Sequence, residues 1–104
     1  MGKSNRGEVW IVDLGLAAKI RPCLVLSVPF SDQERSLVTV VAHTTSARGG
    51  RFEVAVNTLF LKAGVFDAQN LVTIPEVRLI RRVGALRPEQ LTLVEDSVRA
   101  WLGF

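Results

Sequence analysis

A mainly β, α+β fold, a small curled antiparallel sheet carrying one C-terminal helix, is what this sequence predicts. Three observations lead there. Aromatic residues make up 7% of the chain and Tyr is absent, so the 48% hydrophobic fraction rests on Val, Leu and Ile. That wealth of β-branched and aliphatic side chains favours sheet. Short apolar runs recur between clusters of turn-forming residues, and a clear helical period is found only in the last segment. Such a set folds as a sheet around one core with a helix packed on it. At 104 residues the chain suits a single domain, 1–104.

The elements follow in order. EVWIVDL (8–14) is a first strand, opened by the turn at Arg6-Gly7. PCLVLSV (22–28) is a second, and its few polar residues predict burial on both faces. Pro22 has no N–H for a ladder, so it suits the first strand position. It also biases Arg21 toward an extended backbone, which aims that side chain from a defined place at the sheet's edge. PFSDQERS (29–36) is a polar turn, LVTVVAH (37–43) a third strand, and TTSARGGR (44–51) a loop with Gly49, Gly50 and two arginines. FEVAV (52–56) reads as a fourth strand, and QNLVTI (69–74) as a fifth, stopped by Pro75. VRLIRRVGAL (77–86) reads as a short turn followed by a strand. In the closing segment Pro88 suits a first helical turn, and Glu89 the positive end of the dipole. Leu91, Val94, Val98, Trp101 and Leu102 form an apolar face, with Glu95, Asp96 and Arg99 opposite. Gly103 stands where a C-cap glycine belongs. Trp101 and Phe104 are expected to pack the helix on the sheet.

Composition narrows the function. No apolar run reaches the roughly 18 residues of a membrane span, and MGKSNRG has no apolar core of a signal peptide. The one cysteine, Cys23, lies in an apolar run and reads as a buried, inert thiol. A cytoplasmic protein is expected. Thirteen Lys plus Arg against ten Asp plus Glu give a net charge of +3, a lean toward anionic partners. Only Lys3, Lys19 and Lys62 are lysines. The remaining cations are arginines, which suit bidentate contact with phosphate.

The chain has one histidine, His43, and no HExxH, paired-cysteine, P-loop or GxSxG pattern. Glu95 and Asp96 are adjacent on a helix and do not face one site, which argues against a two-metal nuclease. No metal or cofactor is expected. What remains is Arg21 at the opening of one strand, with Thr44 and Thr45 at the close of another. A guanidinium is always protonated, so it holds an anion rather than activating water. RNA brings its own nucleophile, the 2′-hydroxyl. That attack is intramolecular, so positioning supplies much of the rate. The charge that builds on the phosphorane is what an arginine and a hydroxyl donor stabilise. His43 has a useful unperturbed pKa. In a regular strand it points away from Thr44, so it reads as structural.

The ordered set RGEVWIVDL, RPCLVLS, LVTVVAHTT and LVTIPEVRLIRRVGAL, with a closing helix ending WLGF, resembles the MazF/PemK toxins of bacterial toxin–antitoxin pairs. The resemblance runs from Arg6 to Phe104. It implies an SH3-like small barrel, a homodimer and a sequence-selective, metal-independent endoribonuclease. Single-stranded RNA, chiefly mRNA, would be cut to a 2′,3′-cyclic phosphate and a 5′-hydroxyl. A cognate antitoxin would block the RNA groove. The family's catalytic arginine falls on Arg21 and its threonine on Thr44, with Thr45 as fallback. Its base-reading polar pair falls on Gln69 and Asn70. Arg78 matches a family arginine and reads as structural. Lys19, Arg48 and Arg51 would hold neighbouring phosphates without regard to sequence. GLAAK (15–19) stands where many members carry a longer Gly-rich loop, and is similar to a short-loop branch. Two alternatives stay open. The WLGF end is similar to that of CcdB-type toxins, which bind a topoisomerase without cutting RNA. Arg48 and Arg51 would also suit a non-catalytic RNA-binding barrel.

Overall fold

The computed structural model describes residues 2–15 and 19–104. The centre of the GLAAK segment, 16–18, lies outside the described residues. Among the described residues there are six strands: β1 (Glu8–Asp13), β2 (Ile20–Val25), β3 (Leu37–Thr44), β4 (Glu53–Ala55), β5 (Val65–Pro75) and β6 (Leu79–Ala85). They form one antiparallel sheet in the order β4-β5-β3-β2-β1-β6. The sheet is barrel-like but not closed, since β4 and β6 remain its two edges. Helix α1 (Pro88–Leu102) follows β6.

The central strands are apolar on both faces because both faces are covered. On one, Val12, Cys23, Val25, Val40 and Ala42 form a cluster closed by Leu79 and Phe30. On the other, Val9, Leu24, Val41 and Phe66 meet Leu91, Val94 and Val98 of α1. Burial on both faces is as predicted at Cys23, Leu24 and Val25, at 0–1% exposure, but the strand ends there, short of the expected Val28, which is exposed. The beginning of β2 also departs from expectation. Pairing with β1 continues through Ile11↔Pro22 to Asp13↔Ile20, whereas pairing with β3 stops at Cys23↔Ala42. Pro22 is therefore third in the strand rather than first. It stands where β2 has lost one neighbour and behaves as an edge, which a proline tolerates.

The fifth strand begins at Val65, four residues before the expected Gln69. Its register with β3 jumps between Val41↔Leu71 and His43↔Phe66. Residues 67–70 thus face Ala42 alone, a large bulge. A bulge destroys the two-residue period, so the sequence pattern breaks where the strand does not. Pro75 ends the strand, and a 3-10 turn (Glu76–Arg78) leads into β6. The Glu76 carboxylate accepts hydrogen bonds from the amides of Lys3 and Ser4 and from Ser4 Oγ. Burial alone would raise its pKa, but those bonds prevail and lower it.

Helix α1 begins and ends as predicted. The Gln90 side chain accepts from the Arg87 amide and donates to the Asn57 carbonyl, both at 2.9 Å. Gly103 takes a left-handed φ of 80° and its amide donates to the Arg99 carbonyl. The last turn departs from expectation: Phe104 is 91% exposed, and Trp101 is half-exposed against Phe52. The buried cluster takes its last α1 member at Val98, so the final turn runs past the core. Glu95, expected on the solvent face, pairs instead with Arg6 at a packed flank. Among the described residues, no helix is long and apolar enough to cross a membrane.

Candidate active site

Sheet register brings the key side chains together. Pairing of β2 with β3 ends at Cys23↔Ala42, and just beyond that end Arg21 and Thr44 line the same two clefts. Thr44 in turn pairs with Val65 of β5. Side chains alternate along a strand, so Ala42 and Thr44 share one face and His43 takes the other; Arg21 and Asp67 join Ala42 and Thr44 in lining one cleft.

Two clefts meet at this point. The first, of about 380 Å³, is lined by Arg21, Thr44, Ser46, Arg48, Glu53, Asp67, Gln69 and Asn70. The second, of about 520 Å³, has an apolar floor of Ile11, Pro22, Phe60, Leu61 and Val83. Lys19, Thr45, Lys62 and Arg81 also line it, together with His43. Arg21, Thr44 and Ser46 belong to both and form the ridge between them.

The ridge is held by local bonds. The Ser46 amide donates to Thr44 Oγ1 at 3.1 Å. This uses one lone pair of the hydroxyl and leaves its proton available to donate. The amides of Arg48, Gly49 and Gly50 converge on the Glu53 carboxylate at 2.7–3.1 Å. Gly49 permits this with a φ of 77°, a left-handed conformation that suits glycine. These bonds, that of the Arg48 amide foremost, hold Glu53 below the usual carboxylate range. Asp67 Oδ1 accepts the Gln69 amide at 3.0 Å and so ties down the start of the bulge. Gln69 and Asn70 are exposed at its crest.

His43 lies on the face opposite Thr44, as its alternation predicts. It is 4% exposed and meets Phe66 edge-on at 5.0 Å, and burial pushes its pKa down. Its Nε2 has no hydrogen-bond partner among the described residues. Gly64 packs directly behind it: a Cβ there would lie 2.2 Å from the Thr44 carbonyl oxygen and 2.8 Å from His43 Cε1.

Of the residues singled out in the sequence, Arg48, Gln69 and Asn70 line the first cleft, Lys19 and Thr45 the second, and Arg21 and Thr44 both. Arg51 lines neither; its guanidinium lies 4.5 Å from the centre of the Phe52 ring. Cys23 is buried and its thiol is pushed up to about 12 by desolvation. Arg78 lies 4.0 Å from Asp13, a structural setting. Sequence reasoning missed Glu53, Asp67, Lys62 and Arg81. Asp67 stood just outside the expected fifth strand, and only its place in the bulge carries it into the cleft. Among the described residues, no three His, Cys, Asp or Glu side chains gather as metal ligands.

The sequence matches the PemK-like, MazF-like toxins of type II toxin–antitoxin systems over residues 5–102. The fold is similar to that of several solved proteins. One is an endoribonuclease from a mycobacterial species, with 24% identity and a TM-score of 0.82 over 100% of this chain and 95% of that one. The Mycobacterium tuberculosis toxin MazF-mt6 is 28% identical, with a TM-score of 0.79 over 93% of this chain and 97% of its own. A chain of the MazE–MazF structure from Deinococcus radiodurans is 22% identical, with a TM-score of 0.81 over 97% and 96% of the two chains.

Proposed function

The chain belongs to the PemK-like, MazF-like toxins of type II toxin–antitoxin systems, and from that premise we propose that it is a sequence-selective endoribonuclease. It cuts single-stranded RNA at the Arg21–Thr44 ridge, without a metal. The observation that carries this is the ridge itself, a guanidinium and a hydroxyl donor that line both of two adjoining clefts. An RNA strand crossing the ridge presents its scissile phosphate to both groups. The 2′-oxygen attacks phosphorus, Arg21 and Thr44 hold the charge that develops on the non-bridging oxygens, and the 5′-oxygen leaves. The products are a 2′,3′-cyclic phosphate and a 5′-hydroxyl. Gln69 and Asn70 offer paired donors and acceptors to one splayed base. The apolar floor of the second cleft receives the neighbouring nucleotide, with Lys19 and Arg48 on flanking phosphates. The toxin acts as a homodimer, and a cognate antitoxin covers the groove.

Incubating the purified protein with a long RNA in EDTA tests this. Cutting with 2′,3′-cyclic phosphate ends is expected, and a strand carrying a single 2′-deoxy nucleotide at the cut site should resist. Cutting of that deoxy strand, or activity lost in EDTA and restored by Mg²⁺, would overturn the mechanism.

A further inference from the structure

We infer that Asp67 is the proton acceptor for the attacking 2′-hydroxyl, a catalytic residue beside Arg21 and Thr44; this rests on the ribonuclease reading above. Its placement comes first. On the β4 side of β5 the ladder stays regular from Ala55↔Val65 to Glu53↔Asp67, and Asp67, with Glu53 directly opposite it, lines the first cleft together with Arg21 and Thr44. That cleft, of about 380 Å³, has room for a nucleotide's ribose and phosphate, so the 2′-oxygen can meet the carboxylate while Thr44 holds the phosphate.

The choice among proton acceptors comes second. Among the described residues lining the first cleft, the carboxylates are Glu53 and Asp67. Glu53 is spent on the three amides of the 48–50 loop, which stabilise its ionised form against taking a proton. His43 is buried against Phe66 on the opposite face of β3. Asp67 accepts the Gln69 amide at Oδ1. A carboxylate offers about four acceptor sites, so this bond orients the group and leaves capacity for the hydroxyl.

The step balances as follows. The 2′-O–H proton passes to Asp67 as the O2′–P bond forms. The P–O5′ bond breaks, and the leaving 5′-oxygen takes a proton from water. The hydroxide so formed takes the proton held on Asp67.

Asp67→Asn keeps an acceptor for the Gln69 amide but not the basicity. On an RNA with one cut site, kcat should fall by about 10²–10⁴. Affinity for the matching strand with a 2′-deoxy cut site should hold, and the acidic limb of the parent's pH–kcat profile should vanish. Asp67→Glu should retain that limb at reduced kcat. The assignment fails if Asp67→Asn keeps the parental kcat, if weakened binding of the deoxy strand accounts for the whole loss, or if the parent shows no acidic limb. A parent that does not cut RNA at all would instead remove the ribonuclease reading, and this assignment with it.

Discussion

The two clefts flank one ridge, yet one is walled by carboxylates and amides and the other is floored by aliphatic and aromatic carbon. Sheet register accounts for the contrast. On the second cleft's face the alternation is intact, so the row that buries Val9, Leu24 and Val41 continues outward as Ile11 and Pro22. On the first cleft's face the β5 bulge sets four residues against Ala42 and replaces apolar alternation with Asp67, Gln69 and Asn70. A polar cleft lining arises where the ladder is broken, and an apolar one where it is kept.

The sharpest way to break this contrast is to remove what both clefts share. Arg21→Lys keeps the charge but loses the bidentate fork. Cleavage should drop by about 10² or more with the unfolding midpoint unchanged. Parental cutting rates in a single-turnover assay would show that neither cleft depends on the ridge.

A smaller effect separates the ridge from the apolar floor. Gly64→Ala drives a Cβ into the Thr44 carbonyl, a backbone atom that cannot step aside. Overpacking of this kind costs about 1–3 kcal/mol, read from urea unfolding, and cleavage should fall with it. At Gly84 the obstacle is the Phe60 ring, 2.6 Å from where a Cβ would sit. That ring can swing, so Gly84→Ala should cost less stability and disturb only the second cleft. Equal losses in the two variants would erase the distinction.

Next comes pH. Burial lowers the pKa of His43 in the folded state from its ordinary 6.5. Below that value the unfolded chain takes up a proton that the folded chain refuses, so stability is full above it and declines as pH falls. The melting temperature should drop between pH 7.5 and 5, and His43→Leu should flatten that dependence. An unchanged slope in the variant would place the titrating group elsewhere. The smallest changes discriminate within the polar cleft. Asn70→Ala should reorder which sites are cut. Arg48→Ala should weaken all sites alike and reduce the salt slope by about one. Two variants that both preserve the parental ranking would move base reading away from β5.

The ridge was legible in the sequence because punctuation marks it. Pro22 fixes the backbone behind Arg21, and the apolar run of the third strand stops at Thr44. Alternation also sent His43 to the face opposite Thr44. The terminal helix was legible through Pro88 and Gly103, but not the extent of its burial, since periodicity tells which residues share a face and not where the neighbouring core ends. Trp101 and Phe104 show that difference. Asp67 was illegible for another reason. Its contribution depends on a bulge, and a bulge is the point at which period two ceases to carry information. Glu53 likewise sat in a short strand with nothing local to announce that the loop before it would fold back onto its carboxylate.

The same bulge bears on how such a chain diverges. A one-residue insertion in an ordinary strand would turn every later side chain to the wrong face. At 69–70, which are exposed outside the β3 ladder, an insertion or replacement leaves Phe66, Ala68 and Val72 in their places in the packing. Selection can therefore rewrite Gln69 and Asn70, exposed at the crest of the bulge, while the scaffold and the ridge at Arg21 and Thr44 are inherited intact. Descendants of one ancestor can part company in the surface of this cleft without first losing the ability to fold.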